Sequence, residues 1–334
     1  MDRRAEMRHR METYVAPIVA GLLALALLIG LIAPAIKSPT PHDIPVGLVN
    51  ANPGMVTALN GTGAFAITTY DSEQAARSAI DTRQIDGALI VGQPPKLIVA
   101  GAAGDSIAGV ITAVFTQMFA QQGVQLTVET VHPFSSGDPH GLILFFVLLA
   151  ILVSTLISQA LVGTRRGIGF ATRLAVVAAY ALISAPVAMG LATWIAGDYG
   201  SGFWLATGLV ALGSAAVGAV VGGAALLLGR AGIALSALIV VLLDLVCSGG
   251  PIGSNLLPDA YRWLAPGMPA GQLYSAMRGA LYFNGEGLVE PLGVLSLWLL
   301  GGLILMVVGQ VASRRSHAAA ASMSPSVAAH GANG

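Results

Sequence analysis

One acidic side chain, Asp244, lies where ionised groups are rare, within an apolar stretch that covers residues 231–247. A carboxylate at the centre of a membrane helix costs about 2.5–3.5 kcal/mol on insertion, so it needs a partner or a water-filled surround. Arg262 and Arg278, in the segment that follows, are the candidates for a structural ion pair with it. The alternatives are a side chain that lines a substrate or ion path, or a member of a proton relay.

Phosphate-binding chemistry requires residues that this sequence lacks. It contains two lysines, Lys37 and Lys96, and neither follows a glycine, whereas a Walker A loop needs Gly-Lys-Ser/Thr to hold phosphates. Any work driven by ATP must therefore be done by a separate polypeptide. The 16 basic residues balance the 16 acidic ones and form no basic stripe, so we expect no nucleic-acid partner.

Catalytic and metal sites are not expected in this chain either. The single cysteine, Cys247, cannot form an internal disulfide or a cysteine-based metal cluster. His42, His132 and His140 lack the i, i+4 or His-x-His spacing that is typical of metal sites. We therefore expect a protein that is not an enzyme, with no catalytic residues, no metal and no cofactor.

Six apolar stretches are long enough to cross a hydrocarbon layer about 30 Å thick. The composition agrees, since 55% of the residues are hydrophobic and 10% are charged, against roughly 25% charged in soluble domains. The first stretch is longer than the apolar region of a signal peptide, and we interpret it as an uncleaved anchor. The six stretches cover residues 14–35, 141–163, 170–196, 203–228, 231–247 and 291–311.

Positive charge predicts how these helices are oriented. With the N-terminus inside, ten arginines lie on the cytoplasmic side, and six Lys or Arg residues are spread over much more sequence on the other side. We therefore expect a multi-pass protein of the plasma membrane with both termini in the cytoplasm. Residues 1–36 then form the cytoplasmic N-terminus and the first helix, and residues 312–334 form a disordered cytoplasmic tail.

Residues 37–140 differ in pattern from the rest of the chain, because short β-branched runs alternate with helical ones. We predict a compact extracytoplasmic α/β domain inserted between transmembrane helices one and two. The helix that begins at Asp105 carries a continuous apolar stripe, which either packs on the sheet or binds a ligand. The predicted strands cover residues 44–51, 64–70, 86–92, 96–101 and 125–131, with another helix over 72–84.

Residues 141–311 are predicted to form a five-helix transmembrane domain that includes an amphipathic outer segment. Three glycines and a proline within residues 248–253 end the fifth apolar stretch. The segment 248–288 then carries two short helices, over residues 255–264 and 269–283, whose aromatic and leucine side chains suit the membrane interface. The predicted fold class is thus a polytopic α-helical membrane protein with six transmembrane helices and one inserted α/β domain.

Three segments carry a family resemblance, and together they touch both halves of the chain. They are "IPVGLVNANPG" (44–54), "AARSAIDTRQIDGALIVG" (75–92) and "LLPDAYRWLAPGMPAGQLYSAMRGALYF" (256–283). The first resembles the strand that follows the first span in ABC type-2 exporter permeases, more narrowly in their phage-infection-protein-like branch. The second is similar to that branch's helix and following strand, and the third to its segment before the last helix.

The resemblance implies a permease half that forms a homodimer or heterodimer in the lipid bilayer and is driven by a separate ATP-binding subunit. By matching position, the inner loop 163–173 would contact that ATPase, with Arg165, Arg166 and Arg173 as the contact candidates. The alternative is that these arginines only obey the positive-inside rule.

The expected function is therefore the membrane permease subunit of an ABC-type exporter that moves a hydrophobic or amphipathic compound outward. A second hypothesis is a membrane-anchored receptor or scaffold whose outer domain binds a protein or a cell-envelope component. A third, a secondary transporter that uses Asp244 for proton coupling, is disfavoured because no pair of acidic spans and no inverted repeat is visible.

Overall fold

The structure, a computed structural model, describes residues 11–163, 165 and 167–322. In this part of the chain, α1 (Ala16–Lys37) is followed by an α/β region and then by a group of long apolar helices. These helices are α5 (Leu142–Gly163), α6 (Phe170–Ala196), α7 (Phe203–Leu228), α8 (Arg230–Cys247) and α11 (Val289–Ser322).

Five described helices, α5 to α8 and α11, are long and apolar enough to cross a membrane. This supports a polytopic helical membrane protein. Helix α1 covers most of the first predicted span, but it is not one of these five candidate helices. A sixth transmembrane helix therefore remains a prediction.

Helix α7 lies at the centre of the helical half. In the most apolar part of α7, 67% is buried, against 22–39% in the corresponding parts of the other four candidate spans. Glycines allow this close packing: a Cβ at Gly302 of α11 would lie 2.6 Å from the backbone nitrogen of Val220 in α7. Midway along α7, the Ser214 hydroxyl lies 3.0 Å from that of Thr155 in α5, so these two buried polar groups satisfy each other.

Five strands form one mixed sheet in the order β2-β1-β3-β4-β5, and this confirms the five predicted strands with slightly shorter bounds. Strand β1 runs parallel to β2 and β3, β4 is antiparallel to β3, and β5 is parallel to β4. The strands are β1 (Ile44–Val49), β2 (Phe65–Tyr70), β3 (Gly87–Ile90), β4 (Lys96–Ala100) and β5 (Thr127–Val131).

Helices cover both faces of this sheet. Helix α4 (Asp105–Ala120) buries Ile107, Ile111, Phe115 and Phe119 against one face, so the packing interpretation of its apolar stripe is confirmed. Helix α3 (Glu73–Asp81) covers the other face. Helix α2 (Pro53–Asn60) was not predicted. The Asn52-Pro53 pair is nevertheless a good helix start, because the Asn52 side chain accepts a hydrogen bond from the Met55 N–H at 2.8 Å.

Two short helices follow α8, close to the predicted ranges. They are α9 (Asp259–Leu264) and α10 (Pro269–Tyr282). The last helix, α11, continues to Ser322, well past the predicted end of the span at residue 311. The expected disordered tail therefore does not begin at residue 312, since the alanine-rich run that ends at Ser322 has high helix propensity. Residues 323–334 lie outside the described part.

Candidate functional site

The helical half of the chain contacts the sheet at one edge, which is formed by the ends of the strands. Since β1 and β3 are parallel and β4 is antiparallel to them, the loops before β1 and β3 and the loop after β4 lie at the same edge. The loop after β5 lies there too, because β5 is parallel to β4. All four loops contact the segment between α8 and α11, through Asn255 or through α10.

Arg83 fixes the loop before β3 to α10. Its Nη2 donates to the Ser275 hydroxyl at 2.9 Å and its Nη1 donates to the Ser275 carbonyl at 3.1 Å, while the guanidinium lies 5.2 Å from the centre of the Phe283 ring. This close approach requires a glycine at position 279, where a Cβ would lie 2.7 Å from Arg83 Nη1. Burial and the neighbouring positive charge of Arg278 lower the pKa of Arg83 to about 10.

Arg278 fixes the loop after β4 to the same helix. Its Nη1 donates to the carbonyl of Ala103, and its guanidinium lies 4.9 Å from the centre of the Tyr274 ring. Its Nε is buried and has no hydrogen-bond partner among the described residues. Its Nη2 makes no hydrogen bond to a described residue either, so the guanidinium keeps free donors next to a second arginine, Arg83.

Asp86, directly before β3, is the acid that faces these two arginines. Its backbone is held in the sheet, since its N–H donates to Pro45 at 2.8 Å and its carbonyl accepts from Ala100 at 2.9 Å. Burial raises the pKa of its carboxyl to about 6, against the opposing effect of Arg278 and Arg83. No described residue hydrogen-bonds or pairs with this carboxylate within 4.0 Å, although both arginines are near enough to affect it.

These charged groups line a polar cavity between the sheet edge and α10. The cavity has two adjoining chambers of about 330 and 450 Å³, a size typical of small-molecule sites. Asp86 and Arg83 line the larger chamber, and Arg262 and Cys247 line the smaller one. The residues common to both chambers are Gly253, Ser254, Asn255, Gln272, Ser275, Arg278 and Glu290.

Asp244 does not pair with either predicted arginine. Its carboxylate is fully buried and accepts the Ala270 N–H, with the nitrogen 2.9 and 3.0 Å from its two oxygens. Ala270 lies in the first turn of α10, where N–H groups have no partner within the helix and the helix dipole favours a negative charge. Asp244 is thus a helix cap supplied by α8, and this overturns the expected pairing with Arg278 or Arg262.

The backbone of α8 helps to bring Asp244 to this position. Residues Ala237–Leu243, directly before it, form a π-helical stretch inside the apolar helix. A π-helix has a wider turn than an α-helix, so it changes the rotational position of every residue that follows. The hydropathy pattern of the sequence contains no signal for this change.

Arg262 has other partners than the predicted one. Its Nη2 lies 2.8 Å from Asp43 and its Nη1 lies 3.3 Å from Asp259. Asp43 directly precedes β1, so this pair attaches α9 to the loop before the sheet. Two carboxylates already occupy the guanidinium, and Arg262 is therefore the least available of the cavity arginines.

The three arginines predicted to contact an ATPase have different surroundings. Arg173 donates to the carbonyls of Val162 at 3.1 Å and Arg165 at 3.2 Å, so its side chain is bonded to the end of α5 and the loop after it. Arg165 is exposed. Arg166 lies outside the described residues. Only Arg165, of the two described, presents a free side chain for a partner.

Sequence reasoning missed Arg83 and Asp86, which it treated only as part of a helix and a strand. One signal was available: Asp86 is an acid between Ile85 and the apolar run of β3, at the point where a buried strand begins.

The three predicted histidines form no metal site, since the described residues contain no group of three metal-ligating side chains. Each of the three has an acid near it: His42 with Asp259, His132 with Asp81, and His140 with Asp105.

Comparison with known proteins gives no assignment. No protein-family model matches the chain, and no curated protein matches it. The resemblance of the three sequence segments quoted above to exporter permeases therefore stays an expectation.

Proposed function

We propose that this chain is the membrane permease subunit of an ABC-type exporter, which moves a hydrophobic or amphipathic compound outward and is driven by a separate ATPase subunit. The observation that carries the proposal is the position of α10. Asp244 of α8 holds its N-terminus, and Arg83 and Arg278 hold its remaining length to the sheet edge. A movement of the apolar helix α8 would therefore be transmitted through α10 to the sheet.

The end of α6 and the start of α7 both lie near the sheet, which fits spans that alternate across the membrane. The Ser135 hydroxyl donates to the Ala196 carbonyl at 2.6 Å, so the end of α6 lies beside the chain that leaves the sheet. A Cβ at Gly202 would lie 2.3 Å from the Ala280 carbonyl, so the start of α7 lies beside α10. These contacts fit the proposed topology, with the sheet outside the cell and both chain termini in the cytoplasm.

Cysteine labelling tests this topology in intact cells. In a chain whose own Cys247 has been replaced by alanine, a cysteine at Gly61 should react with an impermeant thiol reagent. A cysteine at Ser322 should react only after the cells are opened. Equal labelling of the two positions in intact cells would refute the proposed topology.

The proposed ATPase contact is tested with the loop between α5 and α6. An affinity-tagged chain recovered from native membranes in mild detergent should bring ATPase activity with it, and the purified chain alone should have none. Replacing Arg165 and Arg166 together by alanine should remove that activity. The matched control is Arg230→Ala, which removes an exposed positive charge from the start of α8 on the same proposed side.

Two results would contradict the proposal. If the double variant kept both the associated ATPase and efflux of hydrophobic compounds, the loop would not be the docking site. If the native chain recovered no ATPase and its deletion changed no efflux, the alternative of a membrane-anchored receptor or scaffold would replace the permease.

A further inference from the structure

We propose that the cavity between the sheet edge and α10 binds a zwitterionic group, with an oxyanion on Arg83 and Arg278 and an ammonium on Asp86. This inference goes beyond the proposed transport function and does not depend on an ATPase. It concerns a site that the whole chain presents by itself, so it can be tested on the purified protein.

Opposite charges face the same cavity without pairing. Within the part of the chain that the structure describes, neither Arg83 nor Arg278 lies within 4.0 Å of a carboxylate, and Asp86 has no side-chain hydrogen bond. All three residues are half-buried, and charged groups that lose part of their hydration are normally compensated by a partner. A ligand with both signs of charge would compensate the two arginines and the acid at once.

Arg278 also offers a free donor to the cavity. It lines both chambers, and its Nη2 makes no hydrogen bond to a described residue, although the same guanidinium donates through Nη1 to Ala103. The positive charge of Arg278 is part of why the pKa of Arg83 is lowered. An oxyanion between the two arginines would accept the free N–H groups of Arg278 and offset this repulsion, as carboxylates and phosphates do at arginine sites.

The neutral side chains around these charges are polar as well. Gln272 is 9% exposed and donates through Nε2 to the Pro266 carbonyl at 2.9 Å, and its Oε1 makes no hydrogen bond among the described residues. Ser275 and Asn255 line both chambers beside it. Such a lining suits a polar ligand, and the cavity volume accommodates a small zwitterion rather than a single ion.

Arg262 provides a matched control within the same cavity. It lines the smaller chamber, but Asp43 and Asp259 already pair with its guanidinium. Removing its charge should therefore change ligand binding little, whereas removing the charge of Arg83 or Arg278 should change it strongly.

The test uses the full-length chain in detergent and isothermal titration calorimetry with three soluble probes. Glycerophosphoethanolamine carries both charges, glycerophosphoglycerol carries the same phosphodiester oxyanion alone, and ethanolamine carries the ammonium alone. We expect the zwitterion to bind at least tenfold more tightly than either single-charge probe. Asp86→Asn should reduce its affinity to that of glycerophosphoglycerol, Arg278→Lys should weaken it at least tenfold, and Arg262→Gln should leave it within twofold.

The pH dependence gives a second readout that does not depend on a variant that folds poorly. The charged groups that face Asp86 in this cavity are Arg83, Arg278 and Glu290. Affinity for the zwitterion should fall as the pH drops below about 6, because Asp86 becomes neutral. Asp86→Asn should remove this fall.

Two results would overturn the inference. One is equal affinity for all three probes, or no binding of any. The other is zwitterion binding that Asp86→Asn and Arg278→Lys both leave unchanged. The source of the group is decided in nanodiscs of phosphatidylglycerol with or without phosphatidylethanolamine: loss of soluble-probe binding only with phosphatidylethanolamine indicates a lipid headgroup, and retained binding in both indicates a soluble compound.

Discussion

Replacing Asp86 by asparagine should stabilise the protein at neutral pH. The carboxyl group has a pKa of about 6 in the folded chain against 3.8 without the fold, because burial penalises its charged form. This difference of about two pKa units corresponds to at most about 3 kcal/mol, at roughly 1.4 kcal/mol for each unit. Asparagine has the same shape and no charge, so it avoids this penalty at every pH.

The sign of the effect follows from proton binding. Between pH 3.8 and about 6 the folded state holds the Asp86 proton more tightly than the unfolded state does. The free energy of unfolding therefore falls as the pH rises through this window, and it is constant, as far as Asp86 is concerned, on either side. The variant lacks this fall. Its advantage over the native chain should grow from about zero near pH 4 to its full value above pH 6.

Thermal unfolding of the full chain in detergent, followed by tryptophan fluorescence from pH 4 to 8, measures this advantage. The difference in unfolding temperature between variant and native chain is the quantity to plot, since other titrating groups largely cancel in it. A difference that is constant with pH, or that shrinks as the pH rises, would refute the assignment of a raised pKa to Asp86. Such a result would also contradict the presence of an unpaired acid in the cavity.

Three further predictions follow from contacts elsewhere in the chain. Ala270→Pro removes the N–H that Asp244 accepts, at a position in the first helical turn where proline fits. In a double-mutant cycle of unfolding free energies, this change and Asp244→Asn should be coupled by about 1–2 kcal/mol, and additive effects would contradict the cap. Gly302→Ala should destabilise the packing of α7 and α11 by about 1–3 kcal/mol in the same assay, whereas Gly301→Ala, with open space around it, should not. Hydrogen bonds from Arg77 and Lys96 lower the pKa of Glu129 to about 2, so its carboxylate stabilises the fold at pH values above its unfolded pKa. Glu129→Gln should therefore lower the stability at pH 7, and this effect should shrink as the pH falls from 4.5 towards 2.

Much of the secondary structure follows from local patterns in the sequence. The apolar stretches that predict α5 to α8 and α11 are continuous over whole helices, and lipid or a packed bundle accepts the same apolar residues. The strands are also recognisable, because β-branched runs such as Ile44–Val49 are bounded by turn residues. The apolar stripe of α4 predicts which of its faces meets the sheet.

The ends of helices and the irregular turns within them were less predictable. The end of α11 at Ser322 was missed because the sequence pattern beyond residue 311 is not amphipathic, and helix propensity alone extends it. The π-helical stretch Ala237–Leu243 is invisible to hydropathy, since the same apolar residues fit either kind of helix.

The partners of the charged residues were decided by tertiary structure alone. The sequence indicates that Asp244 needs a partner, but a backbone N–H carries no sequence signal, so the Ala270 cap could not be distinguished from an arginine. Likewise, the cavity joins Asp86 before β3 with Arg278 in α10, which are 192 positions apart in the chain. Such a site depends on which edge of the sheet faces which helix, and that is set by strand order and packing rather than by any local pattern.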